Sequence, residues 1–472
     1  MSDHSQLNLK IGLEIHQQIE GNKLFCKCPG ITNKQEQPDF LIKRKLRATA
    51  GELGSIDIAA KYEQEKAKLF IYEAYKDCNC LVELDEEPPH EINQHALQTA
   101  LEISLLLKAA IIDEVQVMRK IVVDGSNVSG FQRTALIAIN GSLETTKGIV
   151  KIPTICLEEE AAKKIKESES AITYRLDRLG IPLIEIATSP DIKSPEHAKE
   201  VASKLGMILR STEKVKRGLG TIRQDVNLSI KNYPRIELKG FQDLRSIPKT
   251  IEKEIERQLK QAPKEKEVRK VNQDFSSTFL RPMPSSSRMY PETDIPVIQI
   301  TKEFISAIKI PKLIVDASLQ LEGNYNLQSH IAEEIIKKKI SLESYTKQYR
   351  TLEPETIAFI LVELPKEIKS RFNLNPEHLK QEHFTMLLSA LDKKIITKES
   401  VLEILKEILE TGNVNINKYK PVSIDKIESE IITIVNNNLQ LSTNALMGMI
   451  MEKYRGKIDG KKVAEIINKT KK

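Results

Sequence analysis

Apolar and polar residues alternate along Ile11–Gln18, with Ile11, Leu13 and Ile15 on one side and Gly12, Glu14, His16 and Gln18 on the other. That period of two predicts a strand with one face for a core. A carboxylate and an imidazole two residues apart on a strand point the same way, so Glu14 and His16 are expected to converge on one cation or phosphate. The pattern recurs four times. In ICLEEE, Cys156, Glu158 and Glu160 share a face; in PLIEIA, Leu183, Glu185 and Ala187 oppose Ile184 and Ile186. In QDVNLSI, Asp225, Asn227 and Ser229 oppose Val226, Leu228 and Ile230, and in RIELK, Arg235, Glu237 and Lys239 oppose Ile236 and Leu238. If these strands are neighbours in one sheet, their polar faces make a single concave platform.

Between the strands, Glu63–Tyr75 reads as a short helix and His95–Ala110 as a longer one. Ser194 and Pro195 suit the N-cap and first position of a helix running to Arg210. Arg119–Asn140 reads as two strands around a loop of Gly, Ser and Asn. From Lys249 a charged helix is expected through KTIEKEIERQLKQAPKEKEVRK, and FLRPMPSSSRMYPETDIP follows with little repeating pattern. Beyond Thr301 nearly everything is helical, with turns expected at Gly323, Pro354, Pro365, Pro376 and Gly412. Asn413–Ile424 is the least regular stretch and a candidate hinge, and Ile427–Lys469 a terminal helical module. The fold class is therefore α+β, with a sheet domain over 1–300, a helical domain over 301–412 and a tail domain over 413–472.

Composition adds three points. The chain has 472 residues but only five cysteines, four of them in the pairs Cys26-Lys-Cys28 and Cys78-Asn-Cys80. Two matching pairs suit a tetrahedral zinc site tying the first strand to a later loop, and Cys156 stands alone. The start lacks a secretory signal and no apolar run of about 18 residues is present, so a cytoplasmic protein is expected, where disulfides are disfavoured. Finally, Lys453–Lys472 holds eight Lys/Arg against Asp459 and Glu465, an excess equal to the +6 of the whole chain. That tail is either a phosphate-contacting surface or a solvated helix.

A platform of Glu14, His16, Glu158, Glu185 and Asp225 suits Mg²⁺ held by oxygen ligands and bridging nucleotide phosphates; spacing alone also fits the polar face of a half-exposed sheet. RLDRLGIP (Arg175–Pro182) and RGLGT (Arg217–Thr221) place arginines beside glycines, but neither is a standard nucleotide loop. No amidase run or nucleophile elbow appears, and Cys156 has no evident base nearby in sequence.

Eight runs occur in the order of one known family: GLEIHQQ with LFCKCP, CLVELDEEPPH, VMRKIVVDGSNVSGFQRT, CLEEEAA, YRLDRLGIPLIEIATSPDI, VKRGLGTIRQDVNLSI, LKGFQDLRSIPKTIE and RMYPETDIP. Together they closely resemble the tRNA-dependent amidotransferase B/E family, and EEPPH and SGFQRT look like its archaeal E-type branch. The resemblance implies a glutamine-synthetase-like, antiparallel-sheet cradle followed by all-α domains. It implies phosphorylation of the side-chain carboxyl of Glu-tRNA(Gln) by ATP and displacement of that phosphate by ammonia. The ammonia would come from an asparaginase-like glutaminase of the D type, in a heterotetramer with two copies of each chain. By the same resemblance Mg²⁺ falls to His16, Glu158 and Glu185, with Glu14 as a further ligand and Asp225 as a further candidate. Arg178 and Arg223 are candidates for phosphate, and Cys26, Cys28, Cys78 and Cys80 correspond to a zinc site. NALMGMIMEKYRGKIDGKKVAEIINK is similar to the family's tail module, which binds the outer corner of tRNA.

One departure is visible. Archaeal E-type chains usually carry an inserted aspartyl-tRNA-synthetase-like domain ahead of the RMYPETDIP segment, yet here only Val271–Ser287 is available. Ser285–Arg288 also replaces a glycine-containing run. Three alternatives follow: a B-type chain with an amidase partner and Asp-tRNA(Asn) as second substrate, a tRNA-binding scaffold without kinase activity, and a glutamine-synthetase-like ligase for small substrates.

Overall fold

A computed structural model describes residues 7–32, 37–52, 54–241, 243–284, 289–311, 313–421, 424–438, 440–454 and 460–471. Ser285–Arg288, Val422 and Ser423 of the candidate hinge, and Arg455, Lys457, Asp459 and Lys472 of the basic tail lie outside them. The chain forms two units, Met1–Leu313 and Ile314–Lys472.

In the first unit the strands are β1 (Lys10–Gln18), β2 (Phe40–Arg44), β3 (Leu69–Ala74), β4 (Ala110–Ile111), β5 (Glu114–Val115), β6 (Val117–Ile121), β7 (Phe131–Thr145), β8 (Gly148–Glu159) and β9 (Lys163–Glu167). They continue as β10 (Ala171–Arg175), β11 (Pro182–Ala187), β12 (Ile222–Ser229), β13 (Ile236–Phe241), β14 (Glu267–Val271), β15 (Ser277–Pro282), β16 (Met289–Pro291) and β17 (Ile298–Gln299). The helices are α1 (Ile58–Glu65), α2 (Gln94–Leu106), α3 (Pro195–Ser211), α4 (Ser246–Gln261) and α5 (Lys302–Ser306).

One 11-stranded sheet runs β15-β14-β13-β12-β1-β11-β8-β7-β6-β16, with β4 beside β7. Its pairings are antiparallel except between β13 and β14. The five strands of alternating pattern are thus consecutive, β8-β11-β1-β12-β13, and form the expected single platform. Their apolar faces, including Ile11, Leu13, Ile15, Ile184, Ile186 and Val226, pack with α2, α3 and α4 into the main core. Ser194 caps α3 by accepting from the His197 N–H, with Pro195 at its first turn. A second sheet, β2-β3-β10-β9, keeps its own small core around Phe70, Tyr72 and Tyr174. The loop after β6 lies on that core. Gly125 has φ of 87°, and a Cβ there would overlap the Phe70 ring, so only glycine lets this loop settle.

Two stretches expected to be helical are strands. Glu63–Tyr75 divides into the end of α1 and β3, because LFIYEA alternates and gains ladder bonds from β2 and β10 that a helix would forgo. The charged helix stops at Ala262, which adopts a left-handed φ of 46°, and EVRKV pairs with β13 and β15 instead. The FLRPMPSSSRMYPETDIP segment, irregular in pattern, supplies part of β15 at one edge of the sheet and β16 at the other.

The second unit contains α6 (Ile314–Tyr325), α7 (Ser329–Lys337), α8 (Leu342–Gln348), α9 (Pro354–Phe372), α10 (Gln381–Asp392), α11 (Ser400–Thr411), α12 (Ile424–Asn437), α13 (Thr443–Tyr454) and α14 (Gly460–Thr470). Residues of α7 to α11 share one core, and α12 to α14 close around another. Gly412 ends α11 with φ of 78°, but the turns expected at Gly323 and Pro365 fall inside α6 and α9. Pro365 is buried beside Leu361, Leu364 and Ile368, so packing of that face outweighs the lost backbone bond. Asn413–Ile424 includes a short 3₁₀ turn, Ile416–Tyr419, with Tyr419 buried.

Ile15 is fully buried at the centre of the sheet, whereas Ile149 on β8 is 63% exposed. Ile15→Ala should destabilise the first unit by about 3 kcal/mol. Ile149→Ala should stay within roughly 0.5 kcal/mol. Urea unfolding followed by circular dichroism would read both.

Candidate active site

Cross-strand register brings the polar positions of the platform into rows. His16 of β1 lies opposite Glu185 of β11 and Arg223 of β12, and Glu14 lies opposite Asp225. On the far side Glu158 of β8 pairs with Leu183 and Thr134. All of these but Thr134 line a cleft of about 500 Å³ together with Lys120, Asn127, Gln132, Arg235, Glu237, Lys239 and Arg281.

The cleft alternates in charge. Lys120 donates to Glu158 at 2.5 Å and stands 3.8 Å from Glu185, while Gln132 and Thr134 also donate to Glu158. On the opposite side Lys239 donates to Asp225 at 2.7 Å and also pairs with Glu237. Between the lysines, Glu14, His16 and Glu185 bring one donor atom each within 4.8 Å of one another. His16 Nε2 lies 3.3 Å from Glu185, and its Nδ1 is buried without a hydrogen-bond partner.

Titration follows this arrangement. Burial pushes Glu158 above the usual carboxylate range, and the charge of Glu185 adds to that. Burial acts the same way on Glu185, but Lys120 and the hydrogen bond with His16 outweigh it and hold Glu185 low. Burial opposes charge on His16, yet its bond to Glu185 leaves it above its ordinary value. Asp225 is likewise held low against burial by Lys239, while burial pushes Glu14 up. Neighbouring carboxylates driven apart in this way can divide proton-holding from cation-binding roles.

The oxygen-rich set of Glu14, His16 and Glu185, with an orphaned ring nitrogen, fits a hard divalent cation. Glu158 and Asp225 sit beside it with lysines already at their oxygens. Arg223 lines the cleft and donates to Glu160 at 3.0 Å, whereas Arg178 is spent on the carbonyls of Ala161 and Ala162. Sequence patterning passed over Lys120, because β6 shows no polar alternation, and over Lys239 as a partner for Asp225, because their pairing is cross-strand.

The cysteines gather differently from expectation. Cys26, Cys28 and Cys80 meet with Glu83 as the fourth donor. Cys78 is not part of this group: it sits in a turn, its N–H and that of Asn79 both donating to Tyr75 O, so Cys78 and Cys80 do not share a strand face. Glu83 is positioned by the Cys80 N–H at 2.8 Å and by buried Lys23 at 3.4 Å. Hydrogen bonds from Cys26 and Cys28 hold the Cys80 thiol well below its ordinary value, while Cys28 rises to about 12. Cys156, opposite Glu185, is pushed up by burial.

The family model of the GatB/GatE catalytic domain matches residues 9–306, which hold this sheet and cleft, and the GatB domain model matches residues 341–470. The chain belongs to the GatB/GatE family. It is similar to the E subunit of glutamyl-tRNA(Gln) amidotransferase from Methanocaldococcus jannaschii, 35% identical across 99% of each chain. It is also similar to the E subunits of that enzyme from Methanosarcina barkeri, 34% identical over 99% of this chain and 98% of the relative, and from Archaeoglobus fulgidus, 34% identical over 99% of both. The first alignment runs over 624 residues against a chain of 472, so about 150 residues of that relative have no counterpart here. Among the described residues no helix is long and apolar enough to cross a membrane.

Glu160 is 1% exposed and accepts from Arg223, Gln18 and the Ala161 N–H. Burial raises its pKa, but Arg223 and Arg178 outweigh that and hold it below 4.5. A depressed folded pKa stabilises above the unfolded value and is lost as pH falls through the folded one. Stability of the wild type should therefore fall with acidification below about pH 4.5, and Glu160→Gln should flatten that limb, measured as urea midpoints from pH 6 downward.

Proposed function

We propose that this chain is the tRNA-binding kinase and transamidase component of a glutamyl-tRNA(Gln) amidotransferase, acting in the cleft on a glutamine-synthetase-like cradle. The observation that carries the reading is the group of Glu14, His16 and Glu185 set between Lys120 and Lys239 in a chain of this family. The side-chain carboxylate of Glu-tRNA(Gln) attacks the γ-phosphorus of ATP, ADP leaves, and an acyl phosphate forms. Ammonia then attacks the acyl carbon and phosphate departs, leaving the amide of Gln-tRNA(Gln) and one proton. Activation is needed because a carboxylate is a poor electrophile.

Mg²⁺ at Glu14, His16 and Glu185 would neutralise charge on the phosphates. Lys120 holds Glu158 and Lys239 holds Asp225 beside that set, and Glu14, Asp225 and Glu237 form a second group able to hold a cation. Glu158, raised in pKa, is suited to hold a proton close to the amidation site. Cys156 is no candidate for the ammonia-releasing nucleophile, since burial keeps its thiol protonated. That supports a separate ammonia-releasing partner, which in this reading is an asparaginase-like glutaminase in a heterotetramer with two copies of each chain. The E-type names of the relatives favour this over a B-type pairing with an amidase. The basic excess of Lys453–Lys472 supports tRNA backbone contact by the tail, with the salt dependence such contacts bring. A scaffold without kinase activity or a small-substrate ligase would leave either the cleft or the tail unused.

Three thiols and a carboxylate within 4.8 Å also fit structural Zn²⁺, with Lys23 and the Cys80 N–H orienting Glu83.

ADP formation with Mg²⁺ and ammonium should require Glu-tRNA(Gln), and His16→Ala and Glu158→Ala should each lower it by ~100-fold or more. ADP formation unaffected by the charged tRNA, or by either substitution, would remove the kinase assignment. Zinc content measured by plasma mass spectrometry should fall to background in Cys80→Ser and Cys26→Ser but persist in Cys78→Ser; loss in all three would restore the four-thiol site.

A further inference from the structure

Arginines packed around the main sheet nearly all have oxygen acceptors. Arg133 meets Glu159 and Glu292, Arg119 meets Glu292, Arg269 meets Glu267, and Arg178 meets two carbonyls. Two that line the cleft do not. Arg235, immediately before β13, directs Nε and Nη2 at the Met283 sulfur, 3.2 and 2.8 Å away, and a thioether is a weak acceptor. The guanidinium of Arg281 in β15, half-buried in the same wall, has no hydrogen bond or ion pair among the described residues. β13 and β15 flank β14, so their backbones stand about 10 Å apart while both side chains reach one cleft.

Guanidinium groups match phosphate oxygens in charge and in paired donor geometry. The carboxylates beneath them repel an incoming polyanion, and Lys120 and Lys239 are already committed to Glu158, Asp225 and Glu237. Unspent positive charge at the rim is what such a ligand requires. We propose that Arg235 and Arg281 form the subsite for the phosphate chain of the nucleotide, with Met283 holding the Arg235 guanidinium in place. The proposal rests on the reading of the cleft as an ATP site. Arg178, which does not line the cleft and donates to two backbone carbonyls, lies outside this subsite.

The test is equilibrium binding to the full chain by calorimetry, with a non-hydrolysable ATP analogue and Mg²⁺, adenosine, inorganic tripolyphosphate and uncharged tRNA as probes. Arg235→Met and Arg281→Met keep bulk and remove charge, and thermal unfolding checks that both variants remain folded. Loss of one guanidinium should weaken analogue and tripolyphosphate binding by about tenfold, the double variant more so, with adenosine and tRNA unchanged. Arg281→Lys should restore only part, since an ammonium lacks the paired donors. Wild-type affinity for both phosphate probes in the double variant would overturn the proposal, as would a loss confined to tRNA. If the wild type bound tripolyphosphate in an Arg281-dependent way but no nucleotide, the subsite would stand and the ATP reading would fall. Binding of neither would overturn both.

Discussion

β1 serves the core and the cleft at once, and it can do so only while its register against β11 and β12 holds. A slip of one residue would turn Ile11, Leu13 and Ile15 into the cleft and bury Glu14 and His16 among apolar side chains. The register is held from both flanking sides. Leu13 N–H donates to the Thr188 hydroxyl at 2.8 Å, and the buried Gln17 amide donates to Lys216 O at 2.9 Å and Thr221 O at 3.1 Å. Each strand added on either side inherits its facing from β1, so the rows of polar side chains follow from the fit of three isoleucine- and leucine-bearing positions into one core.

That arrangement buries acids, and buried acids need cations. The fold answers with two lysines from strands on opposite flanks, Lys120 of β6 and Lys239 of β13, each tied to the acid nearest its own side. The centre is left with Glu14, His16 and Glu185 and an unpartnered imidazole nitrogen. A similar logic holds the cysteine cluster, where buried Lys23 stands against Glu83 beneath three thiols. In both places the outer charge fixes the position of a group that would otherwise be free to turn.

The departures between pattern and fold share a cause. LFIYEA and EVRKV carry charged residues that suit a helix, yet each had a strand edge available, and ladder bonds decided the outcome. Gly323 and Pro365 break helices in isolation, but the apolar face of α9 continues through Pro365 into the core of the second unit. Cys78 and Cys80 have the spacing of a strand pair while lying in a turn, so identical spacing to Cys26 and Cys28 did not bring identical direction.

Alternation along five short segments was enough to foretell the platform, its polar residues and the apolar face beneath, because a strand's period is a local property of backbone geometry. Glu14, His16, Glu158, Glu185 and Asp225 were legible for that reason, and the order of motifs carried the family. Which of those acids would be free and which neutralised was not written locally. It depends on Lys120 and Lys239 reaching across strands from positions 38 and 14 residues away in the chain from their partners. The meeting of Glu83 with Cys26, Cys28 and Cys80, and the two cleft arginines without oxygen acceptors among the described residues, likewise arise from side chains meeting across elements, where distance in sequence carries no information about distance in space.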